Sequence, residues 1–218
     1  MLQSGELPMS TLDDKVRRVL RLTFRTNMNR NRPFGSFATP EHAGGVSRRI
    51  AEEGIVLLKN TNDFFPIATN RYNKIVVIGE NATRPLTVGG GSSELKVKKE
   101  VSPLEGLINK YGEDKVFYTM GYGSGPTVYD QFVPSPYDAD SLKKEALELV
   151  KDADVVLFFG GLNKNYQQDC EGADRITYDL PFGQNELIDD ILTINKNMGV
   201  IIISGNGVNM PGSIRCLH

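Results

Sequence analysis

The sequence predicts an open, mostly parallel α/β sheet of the doubly wound type, with helices on both faces. Three observations point to it. Lys74–Gly79, Val155–Gly160 and Val200–Ile203 are short runs that are continuously apolar rather than alternating, and rich in β-branched residues. Gly79 and Gly160 close the first two runs. Stretches with helical period lie between the runs. Strands buried on both faces and separated by helices belong to a parallel sheet covered above and below.

The elements follow in order. Thr11 to Arg25 carries Leu12, Val16, Val19, Leu20 and Phe24 at roughly helical spacing, with Ser10 or Thr11 as cap and Asp13 and Asp14 near the positive end of the helix dipole. Asn27–Gly35 has no period and many turn formers, and reads as loop. Thr39-Pro40-Glu41 opens a second helix with a cap, a first-turn proline and an acid, running to about Glu53. Ile55–Leu58 reads as an edge strand or an extended segment. After the strand Lys74–Gly79 come a short helix, Leu104–Tyr111, stopped by Gly112, and a strand, Val116–Tyr118. Ala139–Lys151 is an amphipathic helix with Leu142, Ala146, Leu149 and Val150 inward. Val155–Gly160 is the clearest central strand, followed by a helix over Gln184–Asn195 and the strand Val200–Ile203. Residues 1–53 have no core of their own and read as a linking arm, and residues 54–218 as the α/β domain. A last parallel strand is normally covered by a following element, so truncation is expected after Ile203.

A chain of 218 residues, 39% of them hydrophobic, can bury a proper core. A net charge of −2 gives no electrostatic footprint for nucleic acid or an anionic membrane. The Lys and Arg residues between Arg17 and Arg49 read as a solvated basic face. No apolar run approaches the length of a membrane span, and residues 1–6 show no cationic-then-apolar leader pattern. Cys170 and Cys216 form neither a disulfide framework nor a metal spacing, and His42 and His218 belong to no ligand motif, so no metal and no cofactor is expected.

Ligands of doubly wound sheets sit beyond the carboxyl ends of the strands. Two of the loops leaving those ends, Gly79–Pro103 and Gly160–Phe182, far exceed the roughly two to six residues usual in α/β units. The first contains Gly89-Gly90-Gly91-Ser92-Ser93, which reads either as a flexible turn or as backbone that lets a ligand approach, with hydroxyls to bind it. No lysine follows those glycines as a phosphate loop requires, and no Gly-x-Gly-x-x-Gly opens a helix after Lys74–Gly79. The second holds Asp169-Cys170-Glu171-Gly172-Ala173-Asp174-Arg175. Three acids and an arginine there read either as a solvated acidic loop or as a site in which a carboxyl donates a proton. Gly172 permits a turn that aims Glu171 inward, and Asp174 and Arg175 can brace the loop, with each other or with neighbours. Asn163, Tyr166, Gln167 and Gln168 offer groups for sugar hydroxyls. Cys170 has no histidine near it in sequence, and Gly123-Ser124-Gly125 does not match a nucleophile elbow.

The order of motifs closely resembles the second domain of glycoside hydrolase family 3. It runs Glu53-Gly54-Ile55-Val56-Leu57-Leu58-Lys59-Asn60, Pro66, Ile75–Ala82, Gly89–Ser93, Ser102–Leu107, Ala153–Val156, Glu171–Arg175, Leu180–Gln184 and Ile202–Gly205. Asp14–Phe24 is similar to the family's segment between its two domains. The resemblance implies a six-stranded α/β sandwich from a retaining exo-β-glycosidase of β-glucosidase or β-xylosidase type. It implies Glu171 as the general acid/base, with Asp169 as fallback, and Ser92, Ser93, Asp174 and Arg175 as substrate-binding residues. It implies a β-linked oligosaccharide or glycoside as substrate, and a periplasmic or secreted parent enzyme. The aspartate nucleophile of such enzymes lies on an N-terminal (β/α)₈ barrel that this chain lacks, and Gly212–His218 does not align with the family's continuing helix and strand. Retaining hydrolysis needs two carboxyls about 5–5.5 Å apart, so the chain by itself is expected to be inactive. The alternative is a non-catalytic α/β module that binds carbohydrate or nucleotide.

Overall fold

The computed structural model describes residues 4–26, 39–87, 91–97 and 99–210. The expected loop Asn27–Gly35, together with Gly89, Gly90 and the tail carrying Cys216 and His218, lies outside the described residues. The chain divides into two compact units, residues 1–58 and 59–218.

In the first unit, α1 spans Met9–Arg25 and α2 spans Pro40–Gly54. α1 starts earlier than its sequence suggests. Pro8 stands at its N-terminal boundary without a side-chain cap, and Ser10 and Thr11 lie inside the helix. Asp14 accordingly pairs one turn along with Arg18 at 2.8 Å rather than meeting the free N–H groups. The stripe of Val16, Val19, Leu20 and Phe24 is exposed. α2 begins as the motif predicts, the Thr39 hydroxyl accepting from the His42 N–H at 3.2 Å. Of the two readings of Ile55–Leu58, edge strand or extended segment, the strand is not formed, and Ile55 has extended backbone. The segment is exposed and has no ladder partner among the described residues. β-branched composition alone does not make a strand without a neighbour to take its backbone groups.

The second unit holds a four-stranded sheet in the order β2-β1-β3-β4, every pair parallel. Its strands are β1 (Ile75–Ile78), β2 (Val116–Thr119), β3 (Val155–Gly161) and β4 (Met198–Ile203). Three helices connect them: α3 (Pro103–Tyr111), α4 (Ala139–Leu149) and α5 (Gln184–Ile194). From β1 the chain steps outward to β2, then reverses across β1 to β3 and continues to β4. Parallel crossovers are right-handed, so reversing direction puts the connecting helices on opposite faces.

The core bears this out. Val76, Ile78, Val156 and Phe158 pack with Ala146 and Val150 of the α4 region and with Leu187, Ile188 and Ile191 of α5. Ile75, Val77, Val155, Leu157 and Phe159 face the other way, toward Leu104, Leu107 and Ile108 of α3. Alternate residues of the two inner strands thus feed two cores, which is why these strands lack a polar face. β4 begins two residues before its β-branched run, because Met198 pairs with Val156.

Local chemistry fixes the ends of these elements. Ser102 accepts from the Glu105 N–H at 3.1 Å to start α3, and Gly112, at φ +98°, ends it. Asn60 clamps the backbone of Phe65, donating at 2.7 Å and accepting at 2.8 Å.

Candidate functional site

The acidic loop starts where β3 ends, and one side chain sets that point. Gln184, fully buried at the head of α5, accepts from the Gly161 N–H at 2.8 Å and donates to the Gly161 carbonyl at 2.9 Å. Asn81 adds donations to the carbonyls of Gly160 and Leu162. The following segment turns inward. Asn163, Asn165 and Gln168 are buried and hydrogen-bond within the protein. Asn163 and Gln168 are therefore structural rather than available to sugar hydroxyls, a correction to their reading as sugar-binding groups. Among the expected sugar-binding polar residues of this loop, Tyr166 and Gln167 remain half-exposed.

Gly172 supplies the expected turn at φ +95°. The turn does not aim Glu171 inward. Glu171 is exposed, and its carboxylate accepts the backbone N–H of Ser92 from the glycine-serine segment about eighty residues earlier. The Ser92 hydroxyl, together with that N–H, holds the carboxyl below the usual carboxylate range. Gly91, at φ +67°, allows the approach: a Cβ there would lie 2.5 Å from Glu171 Oε2 and 2.7 Å from the Tyr129 ring. Ser92, which the resemblance implied as a substrate-binding residue, thus also meets the Glu171 carboxylate. Ser93 lies beside it in the same short 3₁₀ turn, Gly91–Ser93.

The other loop acids face elsewhere. Asp169 accepts from the Gly205 N–H, and Asp169, Cys170, Asp174 and Arg175 line a shallow cleft of about 330 Å³ with Gly205 and Asn206. Arg175 forms no ion pair with Asp174 among the described residues. Its guanidinium donates to the carbonyls of Thr177 and Gly207, each at 2.9 Å in its closest bond, and to the Asn206 side chain, and it lies over the Tyr178 ring. It braces the acidic loop against the segment after β4. Tyr129 and Asp130, at the margins of Gly91 and Gly172, belong to no motif. Only the tertiary fold brings them to the site.

Fold and site define a doubly wound α/β domain that presents an acidic, glycine-kinked loop at the carboxyl edge of its sheet, with Glu171 held by Ser92. Residues 55–215 match the family model of the glycosyl hydrolase family 3 C-terminal domain, and the chain belongs to that family. Beta-glucosidase BoGH3A of Bacteroides ovatus is 49% identical over 217 residues, covering 97% of this chain and 29% of the relative. Thermostable beta-glucosidase B of Acetivibrio thermocellus is 29% identical, over 96% of this chain and 26% of its own length. The crystal structure of a GH3 beta-glucosidase from Bifidobacterium adolescentis superposes with a TM-score of 0.73 at 32% identity, over 95% of this chain and 28% of that one. A beta-glucosidase involved in saponin metabolism from intestinal bacteria gives a TM-score of 0.77 over 98% of this chain and 32% of that one; at 22% identity it shows the fold alone. The chain therefore spans under a third of the length of these relatives.

Proposed function

We propose that this chain is the acid/base-bearing part of a retaining exo-β-glycosidase that removes terminal β-linked sugars, with Glu171 as the acid/base. The observation that carries this reading is the placement of Glu171: an exposed carboxylate on a positive-φ glycine turn at the sheet's carboxyl edge, fixed by Ser92. The relatives from Bacteroides ovatus and Acetivibrio thermocellus are named as beta-glucosidases, which supports the substrate class. In this reading residues 1–53 are the arm joining it to a (β/α)₈ barrel, and the barrel supplies the aspartate nucleophile.

The chemistry assigned to Glu171 is two proton transfers. As carboxylic acid it protonates the glycosidic oxygen while the anomeric carbon–oxygen bond breaks and the nucleophile bonds to that carbon. As carboxylate it then takes a proton from the water that releases the sugar. The first step needs a raised pKa, and Ser92 lowers it here. A barrel closing over the loop supplies both opposing influences, desolvation and a second carboxylate about 5–5.5 Å away. Asp174 faces the open cleft and is assigned to substrate, together with Ser93. Arg175 is assigned the bracing of the loop that carries them. Asp169, bound to Gly205, is the fallback acid.

The test uses the enzyme that contains its barrel, with β-glycosides of graded leaving-group ability. Glu171→Ala should cut kcat/KM on alkyl β-glycosides by about 10²–10⁴-fold, the usual contribution of acid–base catalysis, while activated aryl glycosides suffer least. The chain alone should hydrolyse neither. If Glu171→Ala leaves the alkyl substrates unaffected and Asp169→Ala does not, the acid is Asp169 instead.

Ser92→Ala carries a sign of its own. Losing the hydroxyl removes an interaction that favours the carboxylate, so the pKa of Glu171 rises. Activity that needs the protonated acid falls as pH climbs through that pKa, so the alkaline limb of the pH–rate profile should move to higher pH. A limb unmoved in Ser92→Ala would mean that Ser92 does not tune the acid.

A further inference from the structure

The crevice between β1 and β3, where the chain's direction of winding reverses, is where doubly wound sheets ordinarily take a ligand. Here the protein's own side chains fill it. Glu80, 7% exposed, follows β1 and pairs with Arg84 at 2.7 Å. Its other carboxylate oxygen accepts the N–H of Ser124 at 2.8 Å and the Ser124 hydroxyl at 2.5 Å. Arg84 also donates to the Ser124 hydroxyl at 2.5 Å, the Gly125 carbonyl at 3.0 Å, the Thr127 hydroxyl at 2.5 Å and Asn165 Oδ1 at 2.7 Å. One guanidinium thus joins the three segments that leave β1, β2 and β3.

The third of these segments leads to Glu171. Asn165 donates back to the Ser124 carbonyl at 2.9 Å, and its N–H donates to Asn163 Oδ1 at 2.9 Å. The Asn163 carbonyl accepts the N–H of Asp169 at 2.9 Å. From Arg84 an unbroken chain of hydrogen bonds therefore reaches a backbone group two residues before Glu171. A planar fork with fixed donor directions suits this task better than an ammonium would, and a largely buried pair with this many hydrogen bonds is stiff.

We propose that Arg84, held by Glu80, is a positioning residue: it fixes the loop that carries Glu171, and the pair occupies the ligand crevice of the fold for that purpose. The inference rests on the acid/base reading of Glu171. It goes beyond that reading by giving the second unit a brace that sets catalytic geometry without touching substrate.

Arg84→Lys keeps the charge and loses the fork. Thr127→Val keeps the shape and loses a bond to Arg84 and another, of 2.6 Å, to Asn165. In the enzyme with its barrel, misplacement of an acid by about an ångström costs up to about 10²-fold. Arg84→Lys should therefore lower kcat on alkyl β-glycosides about 10- to 100-fold, with KM little changed and activated aryl glycosides least affected. Thr127→Val should show a smaller loss with the same leaving-group dependence. In the isolated chain, amide exchange over residues 163–170 should quicken in both variants while β1 and β3 keep their protection.

Losses equal for every leaving group, or exchange unchanged over 163–170, overturn the positioning role. If Glu171→Ala shows leaving-group dependence and Arg84→Lys does not, the inference fails while the acid/base reading stands. If Glu171→Ala itself shows none, the acid/base reading fails, and exchange over 163–170 still decides whether Arg84 holds that segment.

Discussion

Phe158→Ala is expected to destabilise the α/β unit by about 3–5 kcal/mol, the usual cost of emptying a buried aromatic site. Phe158 sits at the centre of β3, fully buried, among Ile78, Leu187 and Ile188. Its ring lies 6.0 Å from that of Tyr122 and so close over Gly160 that a Cβ there would be 2.6 Å from it. The site cannot collapse easily, because Phe158 is paired on both sides, to Ile78 of β1 and to Val200 of β4. The cavity term therefore adds to the lost transfer energy. For a unit of this size the melting temperature should fall by about 6–20 °C. Phe132→Ala, at a residue 71% exposed, should change stability by no more than about 0.5 kcal/mol. Equal losses in the two variants would contradict the burial assigned to Phe158.

Gly79→Ala should do comparable damage through the backbone. Gly79 has φ +127°, a conformation that costs a side chain about 1–3 kcal/mol. A Cβ at that position would lie 2.0 Å from the Phe159 carbonyl oxygen and 2.8 Å from its carbon. Both are backbone atoms of the neighbouring strand, so no rotamer change relieves the overlap, and overpacking adds about 1–3 kcal/mol. A total of about 2–6 kcal/mol is expected in denaturant unfolding. Since Glu80 and Arg84 follow within five residues, faster exchange over residues 163–170 should accompany the loss. An alanine variant as stable as the parent would mean that β1 and β3 do not approach this closely at their carboxyl ends.

The fold was legible where local chemistry and burial agree. Thr39-Pro40-Glu41 placed a helix start and Gly112 a helix stop, because capping needs only the residues on hand. The apolar runs at 74–79 and 155–160 placed the two inner strands, observed at 75–78 and 155–161, because a strand buried on both faces leaves little room for a polar residue. The edges were less legible. Ile55–Leu58 has the composition of a strand and no partner among the described residues, and pairing is not a property of the segment itself. The cap of α1 was misplaced for a related reason: Ser10 and Thr11 are good caps, but Pro8 already allows the helix to begin at Met9.

The candidate site divides in the same way. Sequence by itself determined the doubly wound sheet, the membership in glycosyl hydrolase family 3 and the loop on which Glu171 stands, since periodicity and motif order are carried along the chain. It also marked Gly172 as a turn. Tertiary structure alone decided what that loop touches. It turned Glu171 to Ser92 rather than inward, gave Arg175 to Asn206 and the carbonyls of Thr177 and Gly207 rather than to Asp174, and buried Asn163 and Gln168. It also joined Glu80 and Arg84 to Ser124 and Asn165, residues some forty and eighty positions apart. Thr177 apart, these contacts join different parts of the chain: Glu171, Arg175 and Asn165 stand between β3 and β4, Ser92, Glu80 and Arg84 between β1 and β2, Ser124 between β2 and β3, and Asn206 and Gly207 after β4. A hydrogen bond depends on two groups meeting within about 3 Å, and the distance between crossovers is set by how the whole sheet packs.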